Sequence, residues 1–401
     1  MTDRITHLIH HPYQPPAGFE APQPGVFKAS TVFFPTVAAM RSREWKDKSA
    51  YTYGLHGTPT SYALEERLAT LEGGKECLLV PSGLAALGLV ALSLLKSGDE
   101  VLLPDNAYGP NKSIVEGELM GWGITHQYYN PMDPEDLEAQ ISSRTKLVWL
   151  EAAGSVSLEF PNIVEMVRIC QRRKVLTALD NTWGAGLAFN PFDLVPGASS
   201  PVAVDVSAHA LTKYPSGGGD VLMGSVITRN PGLHLKLKLT HMRFGIGVGM
   251  NDVEAVLRSL PTIGLRYRAH DVATRSLAAW AQTQPEFVQV LHPALPESPG
   301  HSHWMALTGG EEGKAAGLFS VMLDARFTQA QTDAFCDALK LFRLGYSWGG
   351  PISLVVPYEL ESMRTAWPEH LLRGTLVRFS IGLEDVADLQ ADIAQALEVL
   401  R

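Results

Sequence analysis

Lys213 stands between Thr212 and Tyr214 in the run SAHALTKYPSGGGD. Upstream of it, Asp180 closes the run VLTALD and precedes Asn181-Thr182-Trp183. Each residue alone has an ordinary explanation. A lysine beside three glycines suits a solvated loop, and an aspartate ending a strand suits a turn or a helix cap. Together they supply two groups that pyridoxal phosphate (PLP) requires. One is an amine for a Schiff base, and the other is a carboxylate that keeps the pyridine nitrogen protonated. The ring then draws electrons from a carbanion at a substrate Cα.

Three further features fit the same chemistry. Pro81-Ser82-Gly83-Leu84-Ala85-Ala86 lies between the apolar run CLLV and a helical stretch. Its backbone N–H groups would face an anion at the helix N-terminus, with the Thr212 hydroxyl as a further phosphate ligand. A plain strand-to-helix connection explains the same residues. Tyr108, in PDNAYGP, either stacks on a flat ring or packs on its own loop. Arg378, within LVRFSIG, is either the solvent-facing residue of an amphipathic strand or a carboxylate clamp. A guanidinium suits the clamp because it grips a carboxylate through two parallel hydrogen bonds.

The elements that must position these residues alternate. Leu64, Leu68 and Leu71 mark one helical face, stopped by Gly73-Gly74. CLLVP, EVLLPD, ITHQYY, TKLVWLEA and VLTALD read as buried strands, with helical stretches between them. That rhythm predicts an α/β fold with a mostly parallel central sheet, covered on both faces, whose ligands gather at the carboxyl ends of the strands. Beyond about residue 230 longer helices appear. Shorter strands such as GLFSVML and LVRFSIG then mix with helices in a smaller α+β C-terminal domain. Residues 1–55 are proline-rich and read as an N-terminal arm, 56–255 as the PLP-binding domain and 256–401 as the C-terminal domain.

Bulk properties remove other classes. A formal charge of −9 over 401 residues argues against nucleic acid. The stretch Leu84 to Leu95 is too short to span a bilayer, and the N-terminus lacks an apolar signal core. Cys77, Cys170 and Cys336 stand far apart, which fits buried thiols in a reducing cytoplasm. His7, His10 and His11, and His301 with His303, have no partner ligands of metal-site type, so no metal is expected.

At this point the residues resemble the PLP-dependent enzymes of cysteine and methionine metabolism, and within them the bacterial cystathionine β-lyase branch. YGLHGTPT, ALEERLATLEGG, PSGLAA, DNTW, TKYPSGGGD, HPALPESPGH, YSWGG and IGLEDVADL carry the resemblance, in order, from about Tyr51 to the C-terminus. It implies the aminotransferase-type fold (fold type I) and a homodimer, usually doubled to a tetramer, with active sites built from two subunits. Lys213 matches the Schiff-base lysine, Asp180 the pyridine partner and Tyr108 the stacking tyrosine. Gly83, Leu84 and Thr212 match the phosphate ligands, and Tyr53 a tyrosine donated by the neighbouring subunit. Arg378 matches the clamp on the substrate carboxylate, with Ser347 and Trp348 beside it.

The implied reaction is α,β-elimination of L-cystathionine, a small amino-acid thioether, to homocysteine, pyruvate and ammonia in methionine synthesis. Trp348 favours this branch, because γ-eliminating relatives usually carry a smaller aliphatic residue there; core packing is its other reading. Trp183 points the same way. One departure stands out: Leu55 occupies the place where many relatives carry an arginine that pairs with the phosphate. Phosphate binding must then lean on amides, Thr212, Tyr53, and His56 or an arginine elsewhere. The competing readings are γ-chemistry, cysteine desulfhydration or racemisation on the same fold, and a non-catalytic PLP-binding regulator.

Overall fold

The structure, a computed structural model, describes residues 4–13, 15–42, 48 and 50–401. Seven strands form a first sheet: β1 (Glu76–Val80), β2 (Glu100–Pro104), β3 (Thr125–Tyr129), β4 (Thr145–Glu151), β5 (Leu176–Asp180), β6 (Val206–Ala210) and β7 (Gly224–Thr228). Their spatial order is β1-β7-β6-β5-β4-β2-β3. Neighbours from β3 to β6 are parallel, while β7 is antiparallel to both β6 and β1. Because β7 reverses direction between them, β1 points the same way as β6. The carboxyl ends of six strands therefore share one edge.

Period-2 alternation explains why these strands read as unbroken apolar runs. Leu79, Leu102, Val148, Leu150 and Leu179 enter the core on one face. Leu78, Val101, Leu103, Leu147, Trp149 and Ala178 enter the core on the other. The helix Pro59–Glu72 covers the first face with Leu64, Leu68 and Leu71. It starts at a Thr58 cap that pairs reciprocally with Ser61, and ends at Gly73 in the left-handed conformation (φ 75°). The helix Gly83–Leu94 covers the second face. β6 and β7 lie outside the strands read from the sequence, because VSAHA and GSVIT are too rich in small and polar residues to stand out.

A second sheet holds β8 (Phe287–Leu291), β9 (Leu318–Asp324), β10 (Arg343–Leu344), β11 (Leu354–Tyr358) and β12 (Gly374–Ser380), in the order β10-β11-β12-β9-β8. Its core is aromatic: Phe319 and Phe379 stack with ring centroids 5.0 Å apart, and Phe335 and Phe342 meet Phe379 edge-on. The helix Ile263–Ala281 joins the two bodies. Ile263 and Tyr267 belong to the first core, and Leu277, Ala278 and Ala281 to the second.

The N-terminal segment differs in part from an extended arm. Residues Arg4–Ile9 form a helix whose Leu8 is fully buried, and Arg4 donates to the carbonyls of Leu71 and Gly186 at 3.2 Å. This helix precedes the first proline, Pro12, so nothing in it blocks helical hydrogen bonds. The proline-rich stretch follows it, exposing Phe19, Phe27 and Phe33. Thr31 forms an antiparallel bridge with Tyr53.

Candidate active site

A cavity of about 720 Å³ opens where the carboxyl ends of the first sheet face β12. Asp180 and Glu151 end β5 and β4 in direct register, on the face covered by the helix Gly83–Leu94. Asp180 Oδ1 accepts the Thr182 hydroxyl at 2.6 Å and its N–H at 3.1 Å. Burial raises the Asp180 pKa, while the Thr182 donors and His209 pull the other way. A cation beside it, such as a protonated ring nitrogen, favours its ionised form.

Lys213 follows β6 and reaches into the same space. Its Nζ donates to Ser347 Oγ at 3.1 Å and lies 5.4 Å from the centre of the Trp348 ring. Burial lowers its pKa from 10.5 to about 8. Arg378 adds to that shift, and Asp180 opposes it. Such an amine loses its proton far more easily than an exposed lysine.

At the end of β1, Ser82 caps the helix Gly83–Leu94 by accepting the Ala85 N–H at 3.0 Å. The Ala86 N–H goes to the Ser82 carbonyl. Gly83 and Leu84 line the cavity, and as residues of the first turn their amides have no intrahelical acceptor. Backbones approach closely here. A Cβ on Gly83 would come within 2.5 Å of Ala210 Cβ, and one on Gly224 within 2.3 Å of the Ser82 carbonyl oxygen. Thr212 lines the cavity, its hydroxyl only 3.4 Å from the main chain of Met223. A buried carboxylate, a depressed lysine and an anion cradle at one edge of a sheet fit PLP in its three parts: ring nitrogen, aldehyde and phosphate.

Arg378 comes from the second sheet. On β12 it alternates with Val377 and Phe379, which enter the aromatic core, so its guanidinium points the other way, into the cavity. It is 8% exposed, Nη2 donates weakly to the Ser347 carbonyl at 3.5 Å, and Nε has no hydrogen-bond partner among the described residues. A buried guanidinium with an open donor suits a carboxylate ligand. Tyr358 stands 5.3 Å from it, ring centroid to Cζ. Tyr108 faces the cavity from the turn after β2, and burial, then Asp180 and Glu151, raise its pKa. Trp348 lines the cavity and packs edge-on against buried Tyr214 at 5.6 Å.

Tyr53 is the exception. It lines a separate cavity of about 760 Å³ with Leu55, His56 and Lys238, and is 46% exposed. Within one chain it does not join the Lys213 site.

Some residues of the site escaped the sequence reading. Glu151 ends an apolar strand just as Asp180 does, so the same rule would have found it. Beneath the site, buried Glu72 accepts from His209 Nδ1 at 2.7 Å, Ser207 Oγ at 2.5 Å and Asn181 Nδ2 at 3.0 Å. Burial raises the Glu72 pKa, but these donors outweigh it and hold the carboxyl below its usual value. His209 and Glu72 lie far apart in the chain, and no local signal pairs them. Tyr346, which opens YSWGG, and Tyr358 and Met363, from segments with no motif, complete the wall.

Comparisons with known proteins give the family. A family model described as Cys/Met metabolism PLP-dependent enzyme matches residues 5–398. The chain is 35% identical to the cystathionine beta-lyase of Bordetella avium, over 98% of this chain and 96% of that protein. It is 33% identical to the L-alanine/L-glutamate racemase of Wolbachia pipientis wMel, over 93% and 92%. The crystal structure of cystathionine gamma-lyase from Lactobacillus plantarum complexed with L-serine matches it with a TM-score of 0.86 at 25% identity, covering 99% of each chain.

Proposed function

Because the chain belongs to the PLP-dependent enzymes of Cys/Met metabolism, we propose that it is a carbon–sulfur lyase that performs α,β-elimination on L-cystathionine. The observation that carries this reading is the convergence of Lys213, Asp180, Tyr108 and Arg378 on one cavity, with Trp348 beside the lysine amine. The fold is fold type I, with a mostly parallel central sheet and a separate smaller sheet domain, and Tyr53 would reach the site of a neighbouring subunit in a homodimer or tetramer. No helix among the described residues is long and apolar enough to cross a membrane.

PLP, when bound, supplies the electron sink that makes a substrate Cα acidic. Asp180 would hold the ring nitrogen, and the Gly83 and Leu84 amides with Thr212 would hold the phosphate. Arg378 binds the substrate α-carboxylate and so orients the Cα–H bond toward Lys213. Lys213 Nζ, with its lowered pKa, takes the proton at Cα. The departing sulfur then receives a proton from Lys213 Nζ or from the Tyr108 hydroxyl, whose raised pKa keeps it protonated. Homocysteine leaves as the thiol, and water hydrolyses the released aminoacrylate, breaking its C–N bond, to pyruvate and ammonia.

The test is product analysis with purified, PLP-loaded protein and L-cystathionine. Pyruvate with homocysteine is expected, and none from a Lys213→Ala variant. 2-Oxobutyrate with cysteine would refute β-elimination and leave Trp348 as packing alone. Racemisation of L-alanine without either product would move the protein toward its racemase relative.

A further inference from the structure

Glu151 has no part in the scheme above, yet it faces Asp180 across adjacent strands and lines the same cavity. Its Oε2 accepts the main-chain N–H of Tyr108 at 2.8 Å. Tyr108 needs such an anchor. It occupies the N-cap of the helix Gly109–Ile114, its side chain makes no capping bond, and it is 42% exposed. The turn that carries it is therefore fixed from the cavity side.

We propose that Glu151 is a positioning residue that holds Tyr108 over the cofactor pocket by accepting its main-chain N–H. This rests on the role given to Tyr108 above. Adjacent strands place the backbones of the two residues roughly 5 Å apart with both side chains on one face, and two such carboxyl groups in water-poor surroundings do not both ionise. Asp180 keeps its charge through the Thr182 donors and the ring nitrogen. For Glu151, burial and then Asp180 hold the pKa well above the usual range, with the Tyr108 N–H and Arg364 opposing only in part. An uncharged carboxyl still accepts an N–H through its carbonyl oxygen. Glutamine keeps that acceptor; alanine removes it.

The experiment measures the PLP dissociation constant by titrating cofactor-stripped protein. The set is wild type, Glu151→Gln, Glu151→Ala, Tyr108→Ala and the double alanine variant, each checked by thermal unfolding. Losing one hydrogen bond of about 1.4 kcal/mol is about tenfold in affinity. Glu151→Gln is expected within about threefold of wild type, with an unaltered pH dependence of binding, and Glu151→Ala about tenfold weaker. The double variant is expected to match Tyr108→Ala alone, because Glu151 acts through Tyr108. Multiplying losses in the double variant would overturn the inference, as would a Glu151→Gln variant as weak as Glu151→Ala. A Tyr108→Ala variant that binds like wild type would overturn the role of Tyr108 itself, and this contact with it. If Glu151→Ala does not fold, Glu151→Leu makes the same comparison.

Discussion

In the proposed scheme, capture of the cofactor depends on the Lys213 amine, and its surroundings set the pH at which it reacts. Only a neutral amine adds to an aldehyde. Burial, helped by Arg378, lowers the pKa from 10.5 to about 8. At pH 7 an ordinary lysine is neutral in about one molecule in 3000, and a lysine of pKa 8 in about one in 10, a gain of roughly 300-fold. Because the pKa is lowered, the reactive form appears as the pH rises through about 8 and is complete near pH 9. Stopped-flow absorbance after mixing cofactor-stripped protein with excess PLP, from about pH 6 to 10, should give a rate with its midpoint near 8 and a plateau above 9. A rate still climbing about tenfold per pH unit between 9 and 10 would refute the reasoning, because that is the profile of an exposed lysine. Arg378→Met removes the second cause of the shift, so its midpoint should lie higher.

Arg378→Ala removes the proposed carboxylate clamp, and kcat/KM for L-cystathionine should fall by about 30- to 1000-fold, the equivalent of about 2–4 kcal/mol; unchanged kcat/KM would disprove the clamp. Leu55→Arg places a cation beside Tyr53, and equilibrium dialysis should show tighter PLP binding if the phosphate pocket lacks charge. An equal dissociation constant would mean that another group already meets that need. Glu72→Ala strands His209, Ser207 and Asn181 without their shared acceptor, and urea unfolding should show a loss of about 3–5 kcal/mol; a loss below about 1 kcal/mol would refute the importance of that network.

The sequence displayed what is local and periodic. Asp180 was legible because a single carboxylate ends an apolar strand, and the helix Pro59–Glu72 because leucines at helical spacing precede paired glycines. Arg378 stayed ambiguous between solvent and clamp, since strand alternation gives two faces without saying which one meets another body. Only the pairing of β12 with β9 and β11 turns Phe379 into the aromatic core and the guanidinium into the cavity. The carboxylate of Glu72 was invisible for a related reason. At the end of an amphipathic helix it reads as solvated, and its burial depends on β6, a strand too polar to be seen. The residues that hold the site from behind, Glu72, Asn181 and His209, lie in three separate quoted segments, and only topology shows that they meet. The same reasoning applies to Tyr53, which lies outside the Lys213 cavity of its own chain. If it binds the phosphate at all, a second subunit must bring it there, so cofactor affinity should fall when the oligomer is diluted apart.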